Sequence, residues 1–264
     1  DKDARMNIAA LKELLEQCLA EKRPVYTVVA VMGSTEESAI DPIKDVLALR
    51  DEFRQRGLEF TIHGDAAWGG YHISVIRDDF DMPEPLISFT PSPPPAVPLK
   101  QYVVEQFQAL GNADSITVDP HKSGYIPYPA GALCYRNSAM RDLVTFSAPV
   151  VFHGETEPTV GIYGIEGSKP GAAAAAVYLS HRVIRPSKSG YGKIIGQALF
   201  SCRKLYARLL CMARPEDPFI VVPVPRLPAE ANNSNVEQQT QFIRERIVGK
   251  TNEEIINDSE AMKL

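Results

Sequence analysis

The sequence has no apolar run long enough to cross a membrane. Its longest run, residues 171–179, is far below the ~20 residues that a membrane-spanning helix requires. It also lacks an excess of positive charge, since 33 acidic and 28 basic side chains give a net charge of −5. Such a balance disfavours binding to a nucleic-acid backbone. We therefore expect neither a membrane nor a nucleic acid among its partners.

Cysteine is scarce and scattered. The four cysteines, Cys18, Cys134, Cys202 and Cys211, contain no CxxC pair, which argues against a zinc site or a disulfide framework and favours a reducing compartment. No segment near the first residue has the basic, apolar and small-residue order of a signal peptide. We predict a cytoplasmic protein with no metal site. Because the sequence opens on Asp1 and ends in a helix-like polar stretch, we also expect it to be a piece of a longer polypeptide.

The spacing of apolar residues predicts helices that alternate with strands. Helical periodicity marks residues 7–21, 41–57, 99–110, 167–185, 190–212 and 236–247, and short apolar runs mark strands at 25–32, 58–62, 115–118, 131–135 and 219–222. The nearly continuous run at 25–32 is typical of a strand buried on both faces. Asp41 is expected to cap the second helix, and Gly57 to end it. This rhythm predicts an open α/β sheet with mainly parallel strands.

One proline-rich segment interrupts the alternation of predicted helices and strands. Residues 81–98 contain seven prolines and predict a surface loop. Further on, the predicted strand at 219–222 is expected to begin a second, smaller domain. With 264 residues, the chain is long enough for one large domain and part of another.

Three segments follow predicted strands, at the positions where open α/β sheets bind ligands. They are residues 32–35, 63–70 and 119–125. Taken alone, each is compatible with an ordinary turn, Asp65 with a helix cap and Lys122 with a solvated loop lysine. Taken together, they indicate one chemistry. A lysine whose amine is partly deprotonated by burial forms a Schiff base with an aldehyde cofactor, and a carboxylate on the next strand pairs with a pyridinium nitrogen.

These segments resemble a known family. HGDAAWGG, DSITVDPHKSGYIPYPAGA, GIEGSKPGAAAAAVYLSH and SGYGKIIG occur in this order and are similar to motifs of the group II amino-acid decarboxylases, which depend on pyridoxal 5′-phosphate (PLP). The tyrosine-decarboxylase-like branch is the most similar, over roughly residues 5–212. The resemblance implies PLP fold type I, the aspartate-aminotransferase-like α/β fold. Residues 1–186 would be the lysine half of the PLP-binding large domain. Residues 187–264 would be a connecting helix and the start of a smaller α+β C-terminal domain. It also implies a homodimer.

The resemblance assigns cofactor contacts to five residues. Lys122 would form the Schiff base with PLP, and Asp65 would bind the pyridine nitrogen. Ala67 would pack against the ring face, and Thr35 would lie beside the ring. His121 would lie near the phosphate and the reacting carbon.

The resemblance also implies substrate contacts. Tyr128 would reach the substrate and serve as a proton donor, and residues 147–162, including His153, would form a loop that closes over it. Two departures from the family pattern stand out. Gly64 replaces an apolar residue before the aspartate. The residue that stacks on the second ring face and the small-residue phosphate cup are not found, and in the family both lie upstream of residue 1.

The resulting hypothesis is PLP-dependent decarboxylation of an L-amino acid, aromatic and tyrosine-like, to the amine and CO₂. Substrate choice in this family depends largely on residues outside this chain. Decarboxylation of glutamate or another acidic amino acid, and aromatic aldehyde synthesis, therefore remain alternatives on the same scaffold. A third hypothesis is a non-catalytic fragment that keeps the fold for dimerisation.

Overall fold

The computed structural model describes residues 3–80, 83, 97–145, 169–214, 216–222 and 236–263. The chain divides into two compact units. We call one the sheet unit, made of Arg5–Tyr71 and Gln101–Val183, and the other the helical unit, made of Asp1–Ala4, His72–Lys100 and Ile184–Leu264. Within the described residues, no helix is long and apolar enough to cross a membrane.

In its described residues, the sheet unit contains four strands and four α-helices. In chain order these are α1 (Ile8–Ala20), β1 (Thr27–Val31), α2 (Ile43–Gln55), β2 (Thr61–Asp65), α3 (Gln101–Leu110), β3 (Ser115–Val118), β4 (Ala132–Tyr135) and α4 (Gly171–Val183). The strands lie in the order β1-β2-β3-β4. β1, β2 and β3 are parallel and β4 is antiparallel to β3. The predicted, mainly parallel α/β sheet is thus confirmed.

The direction of β4 follows from the connection before it. Helices α2 and α3 lie in the connections between the parallel strands, as crossovers require. Between β3 and β4 the described chain has turns and no helix. Without a crossover helix, the chain reverses and β4 pairs antiparallel to β3.

The core of the sheet unit lies on one face of the sheet. β1 alternates, with Val28 and Ala30 buried and Thr27 and Val29 exposed. The prediction of a strand buried on both faces is therefore wrong for the part of the chain described here, where helices cover one face. The buried side chains of this layer are Val28, Ala30, Ile43, Val46, Leu49, Phe53, Ile62, Phe107 and Leu110.

Asp41 does not cap α2, contrary to the prediction. The N-cap position is Pro42, which makes no side-chain cap. The Asp41 carboxylate instead accepts hydrogen bonds from the backbone N–H groups of Met6 at 2.7 Å and Val31 at 2.8 Å. A carboxylate beside two unpaired backbone donors satisfies both of them, so Asp41 joins the chain start to the end of β1.

The end of α2 is as predicted, but the following strand starts later. Gly57 has a φ of +89°, and the N–H groups of Gly57 and Leu58 donate to Arg54 and Phe53, which is a Schellman cap. Strand β2 begins at Thr61, opposite Thr27, rather than at residue 58. The predicted span 58–62 is therefore shifted, and Asp65 becomes the last residue of β2.

The helical unit contains α5 (Tyr191–Leu210), α6 (Val236–Arg246) and α7 (Asn252–Asn257). Phe200, Ala207, Ile243, Ile247 and Ile255 form its core. The predicted strand at 219–222 is wrong, since these residues form no strand and Ile220 is 85% exposed. Short apolar runs become strands only when another strand pairs with them, and the described part of this unit has none. Most of the proline-rich segment and the predicted closing loop at 147–162 lie outside the described residues.

Candidate functional site

The three predicted segments meet at one edge of the sheet. Because β1, β2 and β3 are parallel, their carboxyl ends lie side by side. Val31, Asp65 and Thr117 occupy neighbouring positions in the ladder. The segments that follow these strands therefore share this edge.

Asp65 is held between its two neighbouring strands by backbone hydrogen bonds. Its carbonyl oxygen accepts from Met32 N at 2.8 Å, and the next N–H, of Ala66, donates to Thr117 O at 3.0 Å. On the half-buried side chain, Oδ1 accepts from Ala67 N at 3.2 Å. Within the described part of the chain, Oδ2 has no hydrogen-bond partner. One carboxylate oxygen thus remains available to a ligand.

The loop after β2 passes against the end of β1 with no room for a side chain. A Cβ on Gly69 would lie 1.7 Å from the carbonyl oxygen of Met32, and a Cβ on Gly70 would lie 2.8 Å from Val118. Real Cβ atoms are not found this close to backbone. The glycine pair lets the loop that follows Asp65 and carries Ala67 lie between the ends of β1 and β3.

Replacing Gly69 with alanine should destabilise the chain. The Met32 carbonyl belongs to the β1 backbone, so the strand and the loop must move apart, at a cost of about 3 kcal/mol in the free energy of unfolding. Urea denaturation measures this cost. The matched control is Gly111→Ala, because a Cβ there meets nothing within 4 Å. A Gly69→Ala variant as stable as Gly111→Ala would contradict the close approach.

The loop after β3 brings an amine and a carboxylate together. Lys122 Nζ lies 2.9 Å from Asp119 Oδ2, and His121 Nε2 lies 3.6 Å from the same oxygen. The turn is closed by the Lys122 N–H, which donates to Asp119 O at 3.0 Å. Only 23% of the Lys122 side chain and 15% of the Asp119 side chain are exposed. The amine is therefore held at the sheet edge and is not a freely solvated loop lysine.

His121 is fixed from two sides. Its Nδ1 lies 2.5 Å from the carbonyl oxygen of Ala130 and 3.3 Å from the backbone nitrogen of the same residue, so Ala130 orients the ring in either tautomer. Its ring packs on that of Tyr128, with centroids 3.9 Å apart and planes tilted by 32°. Tyr128 is itself 74% exposed. The free edge of His121 therefore faces Asp119, while Tyr128 forms the outer wall.

Trp68 joins the two loops. Lys122 Nζ lies 5.7 Å from the centroid of the Trp68 ring, and Ser123 Oγ donates to Trp68 O at 2.9 Å. An ammonium over an indole ring is attracted to it. The loop that carries Lys122 is thus tied to the loop that follows Asp65.

The structure brings five of the six predicted residues to this edge of the sheet. Lys122, His121 and Tyr128 lie in the segment after β3, Asp65 ends β2, and Ala67 lies in the loop that follows it. Thr35 lies in the turn after β1, is exposed, and makes no hydrogen bond to the other five within the described chain.

The sequence-based prediction missed Asp119 and Trp68. Asp119 precedes Lys122 by three residues, a spacing that allows an ion pair across a turn, and this signal was available. Nothing in the sequence indicates that Trp68 lies over the amine.

The buried Tyr71 and the half-buried His181 form a pair that supports the Lys122 loop. Tyr71 OH lies 3.0 Å from His181 Nε2 on α4. The Tyr71 ring packs on Gly124, where a Cβ would lie 2.5 Å from Tyr71 Cζ. Burial lowers the pKa of His181 below its usual value. A neutral His181 imidazole can accept a hydrogen bond from the Tyr71 hydroxyl at Nε2.

Stability should therefore fall in mildly acidic solution. The folded-state pKa of His181 lies below its unfolded value of about 6.5, so the unfolded chain binds the proton more readily. The contribution of His181 to the free energy of unfolding is complete at pH values above the unfolded pKa. It declines as the pH falls through that value and levels off below the folded-state pKa. His181→Gln should remove this component, as measured by urea denaturation between pH 7 and 5. An unchanged slope in the variant would assign the pH dependence to other groups.

Known proteins resemble this chain over most of its length, although no protein-family model matches it. It is 36% identical over 210 residues to an L-tyrosine decarboxylase of Enterococcus faecium, with 76% of this chain and 34% of that protein covered. An L-tyrosine decarboxylase of Levilactobacillus brevis is 36% identical over 218 residues, with 78% and 34% covered. A probable L-aspartate decarboxylase of Halobacterium salinarum is 28% identical over 227 residues, with 85% and 52% covered. The chain spans about a third of the length of these tyrosine decarboxylases.

Solved structures share the fold. The apo form of mouse CSAD has a TM-score of 0.58 at 18% identity, over 93% of this chain and 47% of that chain. Oryza sativa TDC with PLP and tryptamine has a TM-score of 0.57 at 16% identity, over 85% and 39%. The predicted fold class, PLP fold type I, is confirmed by these likenesses.

Proposed function

Because this chain is related to the group II amino-acid decarboxylases, we propose that it forms the lysine half of a site for PLP-dependent decarboxylation of an L-amino acid. The observation that carries the proposal is the placement of Lys122. Its amine is held by Asp119 just after β3, on a loop tied through Trp68 to the loop that follows Asp65. Such a pairing of amine and carboxylate at the carboxyl edge of a parallel sheet suits an aldehyde-bearing pyridine cofactor.

Two residues fit two parts of PLP, its ring nitrogen and its aldehyde. Asp65 Oδ2 is an acceptor without a partner in the described chain, as a protonated ring nitrogen requires. Lys122 offers a primary amine in a partly buried position. Lys122 and Asp65 would hold the cofactor, with Ala67, Thr35 and His121 beside it.

Asp65, Lys122 and Asp119 would then hold the cofactor and stabilise its charge. When bound, PLP supplies the electron-withdrawing ring that accepts the electron pair left behind by CO₂. Asp65 would keep the proton on the ring nitrogen by a charge-assisted hydrogen bond. Lys122 would hold the cofactor through its amine. Asp119, whose Oδ2 lies 2.9 Å from Lys122 Nζ, would orient that side chain at the sheet edge.

His121 and Tyr128 would act on the substrate side. The His121 ring is already oriented by Ala130 and Tyr128, so no reorientation is needed when a ligand enters. The exposed Tyr128 hydroxyl is a candidate proton donor to the α-carbon. Residues 147–162 would close over the substrate and exclude water.

We propose an aromatic amino acid as the substrate. Two relatives at 36% identity are named tyrosine decarboxylases, while the relative named a probable aspartate decarboxylase is 28% identical. The exposed rings of Trp68 and Tyr128 offer stacking surfaces to an aromatic side chain. An acidic substrate is the second candidate, because of the aspartate decarboxylase relative.

The test is product analysis after PLP loading. The chain is incubated with equal amounts of L-tyrosine, L-aspartate and L-glutamate, and the amines are separated and quantified. Tyramine as the main product supports the proposal, and an amine from an acidic substrate contradicts the aromatic assignment. A folded chain that binds PLP and releases no amine would be the non-catalytic fragment considered above.

The same proposal includes an assembly and a location. We expect a homodimer, which light scattering at micromolar concentration tests and a monomer mass would contradict. The four cysteines are free thiols in this structure, which supports a reducing compartment such as the cytoplasm. The division into a large domain at 1–186 and part of a small domain at 187–264 stays a prediction.

A further inference from the structure

The side chain of His63 crosses from β2 to β3. Its Nδ1 lies 2.8 Å from Ser115 Oγ, and its Nε2 lies 3.1 Å from Thr117 Oγ1. Ser115 and Thr117 are two residues apart on β3, so both hydroxyls stand on the same face of the sheet. We call these three side chains the imidazole bridge.

The bridge reinforces a short ladder. β2 and β3 pair only at His63↔Ser115, Gly64↔Ile116 and Asp65↔Thr117, whereas β1 and β2 pair from Thr27↔Thr61 to Val31↔Asp65. Gly64, in the middle of the short ladder, contributes no side chain. The two hydrogen bonds of His63 therefore add side-chain links to the backbone hydrogen bonds that join β2 to β3.

The two strands carry the two groups of the proposed cofactor site. Asp65 is the last residue of β2, opposite Thr117. Asp119 and Lys122 lie in the turn that follows β3. The position of the carboxylate relative to the amine therefore depends on the pairing of β2 with β3, next to the bridge.

The three side chains of the imidazole bridge satisfy the hydrogen-bonding capacity of the His63 ring. A neutral imidazole has one N–H and one lone pair, and a hydroxyl either donates or accepts. Both ring nitrogens are thus satisfied in either tautomer. An apolar ring at position 63 leaves both hydroxyls without this partner.

We infer that His63 is a positioning residue that holds Asp65 in register with Lys122 through Ser115 and Thr117. This inference rests on the proposed function, because it concerns the cofactor site. It predicts that His63 affects how PLP is held and not whether Lys122 captures it.

The test uses PLP as the probe and three variants. His63→Phe removes both hydrogen bonds, and His63→Gln restores one donor–acceptor group. Thr61→Val is the matched control, because Thr61 lies on the same strand and face but donates its hydroxyl to Tyr26 O. Covalent capture of PLP by Lys122 is measured by borohydride reduction and peptide mass analysis. The affinity for PLP is measured by equilibrium dialysis, and the environment of bound PLP by its absorbance spectrum.

We expect all three variants to be labelled at Lys122 at saturating PLP. His63→Phe should bind PLP about tenfold more weakly, which is the expected size for one or two lost hydrogen bonds, and should shift its absorbance band. His63→Gln should fall between His63→Phe and the wild type, and Thr61→Val should match the wild type. Thr117→Val, which keeps the imidazole and removes one hydroxyl, gives an independent reading if His63→Phe fails to fold.

Different results overturn different claims. A wild-type chain that takes up no label at Lys122 overturns the proposed function. A labelled wild type together with wild-type affinity and spectrum in folded His63→Phe overturns the bridge alone. A fall in melting temperature with an unchanged spectrum also overturns it, because the role of His63 would then be purely structural.

Discussion

Replacing Lys122 with arginine is expected to abolish covalent capture of PLP. Arginine keeps the positive charge and can still pair with Asp119, but its guanidinium does not lose its proton near neutral pH and so does not attack an aldehyde. Borohydride reduction followed by peptide mass analysis should give a pyridoxyl group at residue 122 in the wild type and none in the variant. Any amine production should fall by about 10²–10⁴-fold or more.

Lys44→Arg is the matched control for this substitution. Lys44 is also paired with a carboxylate, that of Glu105 at 3.2 Å, but it is more exposed and lies on α2. This control should leave both labelling and turnover unchanged. A label that persists in Lys122→Arg would show that another amine captures the cofactor, and the assignment of the site would then be wrong.

Replacing Asp65 with asparagine is expected to separate cofactor binding from turnover. The amide has nearly the same shape, and its oxygen can still accept from Ala67 N. It cannot supply the negative charge that keeps a ring nitrogen protonated. Since a charge-assisted hydrogen bond contributes about 1.5–3 kcal/mol, turnover should fall by roughly 10- to 100-fold while Lys122 is still labelled.

The absorbance spectrum of bound PLP and the rate of amine release test this prediction. Asp45→Asn, an exposed carboxylate in the first turn of α2, serves as the control for loss of one negative charge. If Asp65→Asn retains the wild-type spectrum and rate, then Asp65 does not contact the ring nitrogen. If it also loses the label, Asp65 is needed for binding itself.

The main residues of the candidate site could be predicted from the sequence. Residue type and strand-end position alone singled out Asp65 and Lys122, because carboxyl ends of parallel strands share one edge of a sheet. The resemblance added Thr35, Ala67, His121 and Tyr128, whose roles stay predictions. The ion pair between Lys122 and Asp119 also follows from local spacing, since a turn brings residues three apart together.

Other parts of the site depend on contacts between distant residues. The Trp68 ring over Lys122 and the His63 bridge to β3 join residues more than 50 positions apart in the chain. No periodicity or short motif reports such pairs. Asp41 is a similar case, because its sequence neighbours resemble a helix start while its carboxylate binds Met6 and Val31.

The sequence by itself determined the α/β class, most helix positions, the strand at Ser115–Val118 and the order of the chemical groups, because these depend on local periodicity and spacing. Only the tertiary structure decided the antiparallel direction of β4, the late start of β2, the exposed face of β1 and the absence of a strand at 219–222. Strand pairing and burial depend on which distant segment lies alongside, and an apolar run looks the same whether or not such a neighbour is present.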